Sequence, residues 1–350
     1  MNHSYHEIFQ QYKSLRETYD YILSQREALL QFFNSNAPEE IVFVACGSSY
    51  WGSLSAAVTM ESKLGIKCYT VASGEVLLNP DFYRKSYRKP LIVAPSRSGS
   101  TSETIEAIAL MKNVYQAPVL SIVEYENSPL AQLSDLSLFL PWCNEVSVCQ
   151  TRSFSSLYLT QFIIASIWSN DDSLFRESDR YIQECVEIIR TNEGRLKRIA
   201  EKPWDHVVAL GNGGLFGLAC EGALIMLEMA QVPVSFYNTL ELRHGPMVNV
   251  NSKTLVVMFS SGGNGTRLEE ELSLDCLAKG AGVIAIGKEG TFQQAVDLFS
   301  LEQGAAAEII GLYGSFVMQG LAYYKALQVG VNPDSPQGLS PWIQLSPTTL

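Results

Sequence analysis

The stretch Ile41-Val42-Phe43-Val44-Ala45-Cys46-Gly47-Ser48-Ser49 joins an unbroken apolar run to a turn of small and hydroxyl-bearing residues. A second stretch, Leu91-Ile92-Val93-Ala94-Pro95-Ser96-Arg97-Ser98-Gly99-Ser100-Thr101, has the same plan. Unbroken apolar runs are typical of strands that are buried on both faces, as in a parallel sheet that helices cover. Segments with helical spacing follow both turns. We therefore predict strands over Ile41–Ala45 and Leu91–Ala94, each leading into a helix.

The chain repeats this pattern at a constant offset of 164 residues. The aligned pairs include Val44 with Val208, Gly47 with Gly211, Leu91 with Leu255, Ser96 with Ser260, Gly99 with Gly263 and Glu106 with Glu270. Single matches of this kind are weak, but a register kept over about 80 positions indicates a duplicated domain. The predicted fold is therefore α/β, with two duplicated three-layer αβα domains built on parallel sheets.

The segments outside the two copies complete the predicted organisation. Apolar residues recur at steps of three and four from Tyr5 to Leu23, which predicts an N-terminal amphipathic helix. A helical region from about Phe154 to Ala200 connects the copies, and Pro333 and Pro336 predict an irregular tail. The predicted domains are an N-terminal helix in 1–34, a phosphate-binding first domain in 35–170, a connecting helix in 171–203, a second domain in 204–331 and a tail in 332–350.

Composition and charge narrow the classes of function. The 350 residues are 47% hydrophobic and carry a net charge of −11, which disfavours nucleic acid and anionic membrane surfaces as partners. Four His and seven Cys residues form no metal-ligand spacing, so we predict no metal site. The N-terminus shows neither a basic start nor an apolar signal core, which favours a cytoplasmic location. The charge-free stretch Ile309–Tyr324 is too short for a bilayer span and predicts a buried helix.

Because the chain is acidic overall, an anionic ligand has to be bound by short-range groups such as hydroxyls and backbone amides. The hydroxyls of Ser96, Ser98 and Thr101 follow a strand and precede a predicted helix, where ligands of open α/β sheets bind. The alternative is that these residues only cap and turn the chain. The second copy has replaced most hydroxyls by glycine in Gly211–Gly214 and Ser260–Thr266, which favours one phosphate site, in the first copy. Nucleotide-binding loops are not matched.

Further motifs add a resemblance to a known family. Glu221-Gly222-Ala223-Leu224, Glu228 and Glu241-Leu242-Arg243-His244-Gly245-Pro246 follow the two serine-rich turns in the chain. In this order the motifs resemble the tandem sugar isomerase (SIS) domains of the isomerase half of glucosamine-6-phosphate synthase and the related fructosamine-6-phosphate deglycases. The likeness covers about residues 35 to 345. It implies chemistry on an amino-substituted hexose 6-phosphate, with no metal or organic cofactor.

The resemblance also implies roles for individual residues. The positions that match the family's phosphate-binding residues are Ser48, Ser49, Ser96, Ser98 and Thr101. Arg97 stands where the synthase has a neutral Gln, and we expect it to strengthen the grip on phosphate. Glu228 matches the enolising base, and His244 matches the histidine that helps to open the sugar ring and protonates the leaving group. Gly47, Gln150 and Arg243 are predicted to contact substrate.

In the family, the histidine reaches the site from a neighbouring subunit. The resemblance therefore implies a homodimer, or a dimer of dimers, that shares His244 across the interface. Without the resemblance, Glu228 would be read as an exposed helix residue and His244 as a loop histidine.

Two departures from the synthase bear on the reaction. Pro341 occupies the position of the lysine that can form an imine with the open-chain sugar, and residue 2 is Asn, with about 40 residues before the first strand. Glutamine-dependent synthesis is therefore not expected. We predict a deglycase or deaminase that releases an amine from a fructosamine-type 6-phosphate. The alternatives are a phosphosugar aldose/ketose isomerase and a sugar-phosphate-binding regulatory protein.

Overall fold

Two five-stranded parallel sheets form the framework of the described chain, and each contains one copy of the repeat. The computed structural model describes residues 2–292, 296–340 and 343–344. The strands of the first sheet, β1 to β5, are Glu40–Ala45, Lys67–Ala72, Pro90–Ser96, Val119–Val123 and Leu136–Phe139. Those of the second sheet, β6 to β10, are His206–Gly211, Val234–Asn238, Thr254–Phe259, Gly282–Lys288 and Asp297–Leu301.

The two sheets have equivalent strand orders, β2-β1-β3-β4-β5 and β7-β6-β8-β9-β10. Both predicted strands are present, each slightly longer than expected, and every residue of β3 is buried. Because both faces of these strands are covered, their sequences are apolar without alternation. The prediction of two duplicated αβα domains with parallel sheets is confirmed.

Helices cover both sheets. In chain order α1 to α13 are His3–Phe9, Gln11–Ser24, Arg26–Asn36, Gly47–Leu64, Ser73–Leu78, Pro80–Tyr83, Ser102–Tyr115, Pro129–Leu133, Arg152–Trp168, Ser173–Ala200, Phe216–Ala230, Thr266–Ala278 and Ala307–Val329. Helix α4 packs on α9 beside the first sheet, and α11 packs on α13 beside the second. The buried side chains between sheet and helices form the hydrophobic cores.

The described chain divides into two compact units that do not follow the sequence in a simple order. The first-sheet unit contains Lys13–Glu145, Arg152–Arg176 and the described residues from Ser340 on. The second-sheet unit contains 2–12, Val146–Thr151 and Glu177–Leu339. The segment Val146–Thr151 therefore belongs to the second-sheet unit, although its neighbours along the chain on both sides belong to the first.

The N-terminal region differs from the single predicted helix, because it contains α1, α2 and α3. Helix α1 ends at Phe9, and the backbone of the next residue, Gln10, leaves the helical region with φ −120° and ψ 15°. The side-chain amide of Gln11 then donates to the carbonyl oxygen of Ile8 at 2.9 Å, and also to Gln319 at 3.1 Å. These bonds satisfy a carbonyl group near the break. Hydrophobic spacing alone did not reveal the interruption.

The predicted connecting helix is also interrupted. Helix α9 ends at Trp168 and α10 begins at Ser173, and Asn170 between them adopts a left-handed backbone with φ 54°. Asn tolerates this conformation better than most residues, and Asp and Ser favour turns over helix interiors. The sequence Ser169-Asn170-Asp171-Asp172 accounts for the break.

The charge-free stretch near the C-terminus is the buried helix that the sequence predicts. Helix α13 spans Ala307–Val329, and its residues from Ile309 to Tyr323 are buried. A second apolar segment, Gly213–Ala230, is long and apolar enough to cross a membrane, but 67% of it is buried inside the protein. Burial of this extent is that of a core helix. The described part of the tail contains only turns and irregular backbone.

Candidate functional site

The two serine-rich turns lie at the carboxyl ends of neighbouring strands. Strands β1 and β3 pair directly in parallel, with Ile41 opposite Leu91 and Phe43 opposite Val93. The turns that follow them lead into α4 and α7. The chain continues from β1 to β2 on one side and from β3 to β4 on the other side of this strand pair. Ligands of such sheets bind in the crevice that lies between the two strands. The topology therefore brings the predicted phosphate-binding residues together at the carboxyl ends of the central strands of the first sheet.

We refer to these residues together as the Ser-rich cradle. Its members are Ser48, Ser49, Ser96, Arg97, Ser98 and Thr101. Ser48 and Ser49 lie in the first turn of α4 and are 5% and 4% exposed. Gly47 begins that helix with φ 56°, in a conformation that suits glycine.

Backbone amides orient the hydroxyls of the second turn. The amide of Gly99 donates to Ser96 Oγ at 3.1 Å, and the amide of Ser100 donates to Ser98 Oγ at 3.1 Å. Each serine oxygen thus accepts a bond, which leaves its O–H to donate to an anion. Thr101 occupies the N-cap position of α7, yet its side chain makes no capping bond. Thr101 is therefore not used as a side-chain cap, and anion binding by this turn stays a prediction.

Gly99 permits a close contact within the first-sheet unit. Its φ is 60°, and a Cβ atom built on it would lie 2.3 Å from Ser128 Oγ. The amide of Leu130 donates to the Gly99 carbonyl at 3.0 Å, so the segment after β4 closes over the turn. The glycine is required both for the left-handed backbone and for this approach.

Replacing Gly99 with Ala is expected to lower the free energy of unfolding by about 2 to 3 kcal/mol, because backbone strain and a steric clash add together. Gly47→Ala is the matched control. Its φ is similar, but its Cβ would meet no atom within 4 Å. We expect it to cost only about 1 kcal/mol. Urea unfolding measures both values, and equal losses would contradict the steric argument. Adding Ser128→Gly to Gly99→Ala should restore part of the loss.

Arg97 makes a buried ion pair. Its Nη1 lies 3.4 Å from Glu145 Oε2, and the two side chains are 10% and 0% exposed. Glu145 also accepts the backbone amide of Ser153 at 3.2 Å and the Ser153 hydroxyl. Arg97 is therefore not a solvated surface residue. Its guanidinium is held beside the serine turn, and the planar guanidinium group suits phosphate recognition. Phosphate binding by Arg97 stays a prediction.

The predicted acid–base residues belong to the second-sheet unit. Glu228 lies half-buried near the end of α11, two turns after the buried Glu221. His244 is exposed and follows a short 3₁₀ helix, Thr239–Arg243. Gly245, with φ 118°, turns the chain directly after it. The His244 ring makes no hydrogen bond within the described chain, so it is available to a ligand or a partner chain.

Two contacts hold the chain that leads to His244. Asn212, in the turn after β6, donates from Nδ2 to Thr239 Oγ1 at 2.7 Å and accepts the Thr239 amide at 3.2 Å. Arg243 donates from Nε and Nη2 to Asp275 Oδ2 on α12, at 2.9 and 2.7 Å. Arg243 thus anchors the loop, and its contact with substrate stays a prediction.

Sequence reasoning did not assign a role to Asn212. Its place in a turn that matches Cys46-Gly47-Ser48-Ser49 through the repeat was the available signal.

Asn212→Ala is expected to lower kcat by about ten- to a hundredfold, because His244 would lose its fixed position. Asn238→Ala is the control, since Asn238 is exposed, precedes the same 3₁₀ helix and makes no capping bond. Steady-state kinetics with the phosphosugar substrate that the resemblance predicts measures the effect, and the melting temperature reports any loss of stability. An unchanged kcat for Asn212→Ala would show that the loop does not need this anchor.

Gln150 lies in the segment that crosses into the second-sheet unit. Its Oε1 is buried and has no hydrogen-bond partner in the described chain. Buried carbonyl oxygens normally accept a bond, so this atom is available to a ligand or water. The buried carboxylate of Glu7 holds the start of the segment, accepting the Val146 amide at 2.6 Å and the Ser147 amide at 3.3 Å. Pro341, at the position of the family's lysine, lies outside the described residues.

The SIS domain family matches residues 35–167 and 202–324. Glutamine–fructose-6-phosphate aminotransferase (isomerizing) of Sulfurisphaera tokodaii is 27% identical over 343 residues, which are 95% of this chain and 55% of that protein. The chain thus spans about half the length of the curated relatives that it matches.

Two solved structures have closely similar folds. Glucosamine-6-phosphate deaminase from Thermotoga maritima is 28% identical with a TM-score of 0.77, covering 94% of this chain and 99% of the other. Tagatose-6-phosphate ketose/aldose isomerase from Escherichia coli is 23% identical with a TM-score of 0.83, covering 100% of this chain and 97% of the other. The second likeness concerns the fold alone.

Proposed function

Because the chain belongs to the SIS domain family, we propose that it is a phosphosugar enzyme that removes nitrogen from an amino-substituted hexose 6-phosphate. The observation that carries the proposal is the Ser-rich cradle at the carboxyl ends of β1 and β3. Its serine oxygens accept backbone amides, so their O–H groups can donate to phosphate oxygens. A cradle of hydroxyls and amides suits a chain whose net charge of −11 gives no long-range attraction to anions.

The proposed chemistry needs one carboxylate and one imidazole. Glu228 removes a proton from the carbon that lies beside the carbonyl or imine of the open-chain sugar. The proton is returned to the carbonyl carbon, and the amine N–H proton is transferred to the carbonyl oxygen. The C=O bond thereby becomes C–OH, and the C–N bond becomes a C=N bond that water can attack. Water then adds, and the amine leaves with a proton that His244 supplies. The products are a hexose 6-phosphate and a free amine, and no cofactor is consumed.

Two observations favour nitrogen loss over plain isomerisation. The deaminase from Thermotoga maritima is 28% identical to this chain along nearly its whole length. The imine-forming lysine of the synthase is replaced by Pro341, and a substrate that carries its own amine does not require that lysine. The amine at C1 of a fructosamine 6-phosphate, or at C2 of glucosamine 6-phosphate, would serve.

The proposal includes a homodimer, or a dimer of dimers, in which His244 completes the neighbour's site. The exposed ring of His244 and its lack of hydrogen bonds within the described chain support this arrangement. We further propose that the enzyme acts in the cytoplasm. Within the described chain, all seven cysteines are free thiols, which suits a reducing compartment.

Product analysis tests the proposal directly. The protein is incubated separately with fructosamine 6-phosphates that carry amino acids, with glucosamine 6-phosphate and with fructose 6-phosphate, and released amine, ammonia and hexose 6-phosphate are measured. We expect stoichiometric release of amine and hexose 6-phosphate from at least one nitrogen-containing substrate. Interconversion of sugar phosphates without amine release would establish the isomerase instead. Thermal stabilisation by these compounds without any turnover would indicate a regulatory binding protein.

A further inference from the structure

A cavity of about 470 Å³ opens at the carboxyl ends of β8 and β9, in the second copy of the repeat. It is lined by two loops that follow these strands, by the start of α12 and by one residue after β10. The charged and hydroxyl-bearing side chains of the lining are Lys288, Arg267, Thr266, Thr291, Glu270 and Glu289. Volumes of this size are typical of sites for small molecules. None of these residues enters the function proposed above.

The cavity exists because the second copy packs differently from the first. In the first copy, Ser128 lies against Gly99 and closes the space beside the turn. The repeat places Phe292 at the position of Ser128, and Phe292 is instead buried in the hydrophobic core of the second sheet. A Cβ atom on Gly263, the counterpart of Gly99, would meet nothing within 4 Å. The space that a side chain fills in one copy is therefore open in the other.

Two positions of the lining carry a positive charge where the first copy has a negative one. Lys288 corresponds to the buried Glu124, and Arg267 corresponds to Glu103. The stem of Lys288 passes 3.5 Å from the position of a Cβ on Gly262, at the edge of the cavity. Within the described chain, the Lys288 ammonium makes no ion pair. Arg267 contacts Glu271 at 2.8 Å and remains exposed, so it can also reach an anion at the cavity mouth.

We propose that this cavity is a second anion site, and that it takes a small phosphorylated polyol or sugar. The phosphate contacts Lys288 and Arg267, and the hydroxyls of Thr266 and Thr291 lie in the same lining. Glu270 and Glu289 accept hydrogen bonds from the hydroxyl groups of the polyol or sugar, which a bare inorganic anion does not have. The sequence predicted a single phosphate site, and this one differs from the Ser-rich cradle because it uses cations where the cradle uses serines. The proposal does not depend on the catalytic function.

Counting bound ligands tests the site. Equilibrium dialysis with radiolabelled glucose 6-phosphate is performed on the 350-residue protein and on the double variant Lys288→Glu/Arg267→Glu, which restores the acidic residues of the first copy. We expect two ligands per chain in the parent and one in the variant, with at least about tenfold weaker binding at the altered site. Lys253→Glu/Lys279→Glu is the control of equal charge change, since both lysines are exposed and lie outside the cavity.

A second variant, Ser96→Ala/Ser98→Ala, separates this proposal from the cradle. It should lose the other ligand and keep the one that depends on Lys288. A parent protein that binds a single ligand, with the Lys288→Glu/Arg267→Glu variant unchanged, would overturn the proposal, as would two ligands that persist in that variant. A single ligand that is lost only in the Lys288→Glu/Arg267→Glu variant would support the second site and contradict the cradle.

Discussion

Replacing Glu228 with Gln is expected to lower kcat by about a hundred- to ten-thousandfold, the usual contribution of a general base. Gln is nearly isosteric and keeps the hydrogen-bonding ability of one oxygen, but it cannot accept a proton from carbon. The Michaelis constant should change little, because the cradle that is proposed to hold the phosphate is unaltered. Steady-state kinetics with the best nitrogen-containing substrate measures both constants.

Exchange of the carbon-bound hydrogen with solvent deuterium gives a second readout for Glu228. Proton NMR should show that Glu228→Gln abolishes this exchange, whereas Glu228→Asp, which retains a carboxylate, keeps part of it. Leu227→Gln is the control on the neighbouring, exposed position of α11 and should behave like the parent. A Glu228→Gln variant that retained more than half of the parent kcat would remove Glu228 from the mechanism.

Replacing Glu145 with Gln is expected to lower the free energy of unfolding by about 3 to 5 kcal/mol, because the Arg97 cation would be buried without its counter-ion. The pair is almost fully inaccessible, with 10% and 0% of the side chains exposed. Urea unfolding at neutral pH measures the loss. Arg97→Gln/Glu145→Gln, which removes both charges, should recover a large part of it.

A ligand provides an independent check on the Arg97–Glu145 pair. If Arg97 contacts the phosphate, the anion can replace the missing carboxylate, so phosphosugar should raise the melting temperature of Glu145→Gln more than that of the parent. Glu187→Gln is the control, since Glu187 pairs with Arg190 on the exposed surface of α10 and should have little effect on stability. Equal ligand shifts in parent and Glu145→Gln would place the Arg97 guanidinium away from the phosphate.

The two predictions differ in kind because Glu228 is proposed to act on substrate, whereas Glu145 pairs with a buried cation. With a net charge of −11, the protein does not gather anions from a distance, so affinity for phosphate depends on short-range groups. The cradle supplies serine hydroxyls and a single guanidinium that is already paired with Glu145. Under the proposed function, changes at Glu228 are therefore expected to act on the reaction. Changes at Glu145 are expected to act first on the folded state and through it on binding.

The sequence by itself determined the duplication, the class of fold and the position of the serine-rich turns. These features are local or periodic: apolar runs define buried strands, and the offset of 164 residues relates two copies of one pattern. Parallel strands then bring the ends of Ile41–Ala45 and Leu91–Ala94 to the same edge. This arrangement could be predicted without any knowledge of individual side-chain contacts.

Only the tertiary structure decided which distant side chains meet. Arg97 pairs with Glu145, Ser128 packs against Gly99, and Asn212 hydrogen-bonds Thr239. The partners in each pair are far apart in sequence, and no periodic pattern predicts that they meet. The breaks at Gln10 and Asn170 were missed for a related reason, since helical spacing continues in phase across a short interruption. The cavity beside Lys288 is open because Phe292 enters the core, whereas its counterpart Ser128 packs against a glycine turn. Close packing decides between these two positions, and the residue pattern does not.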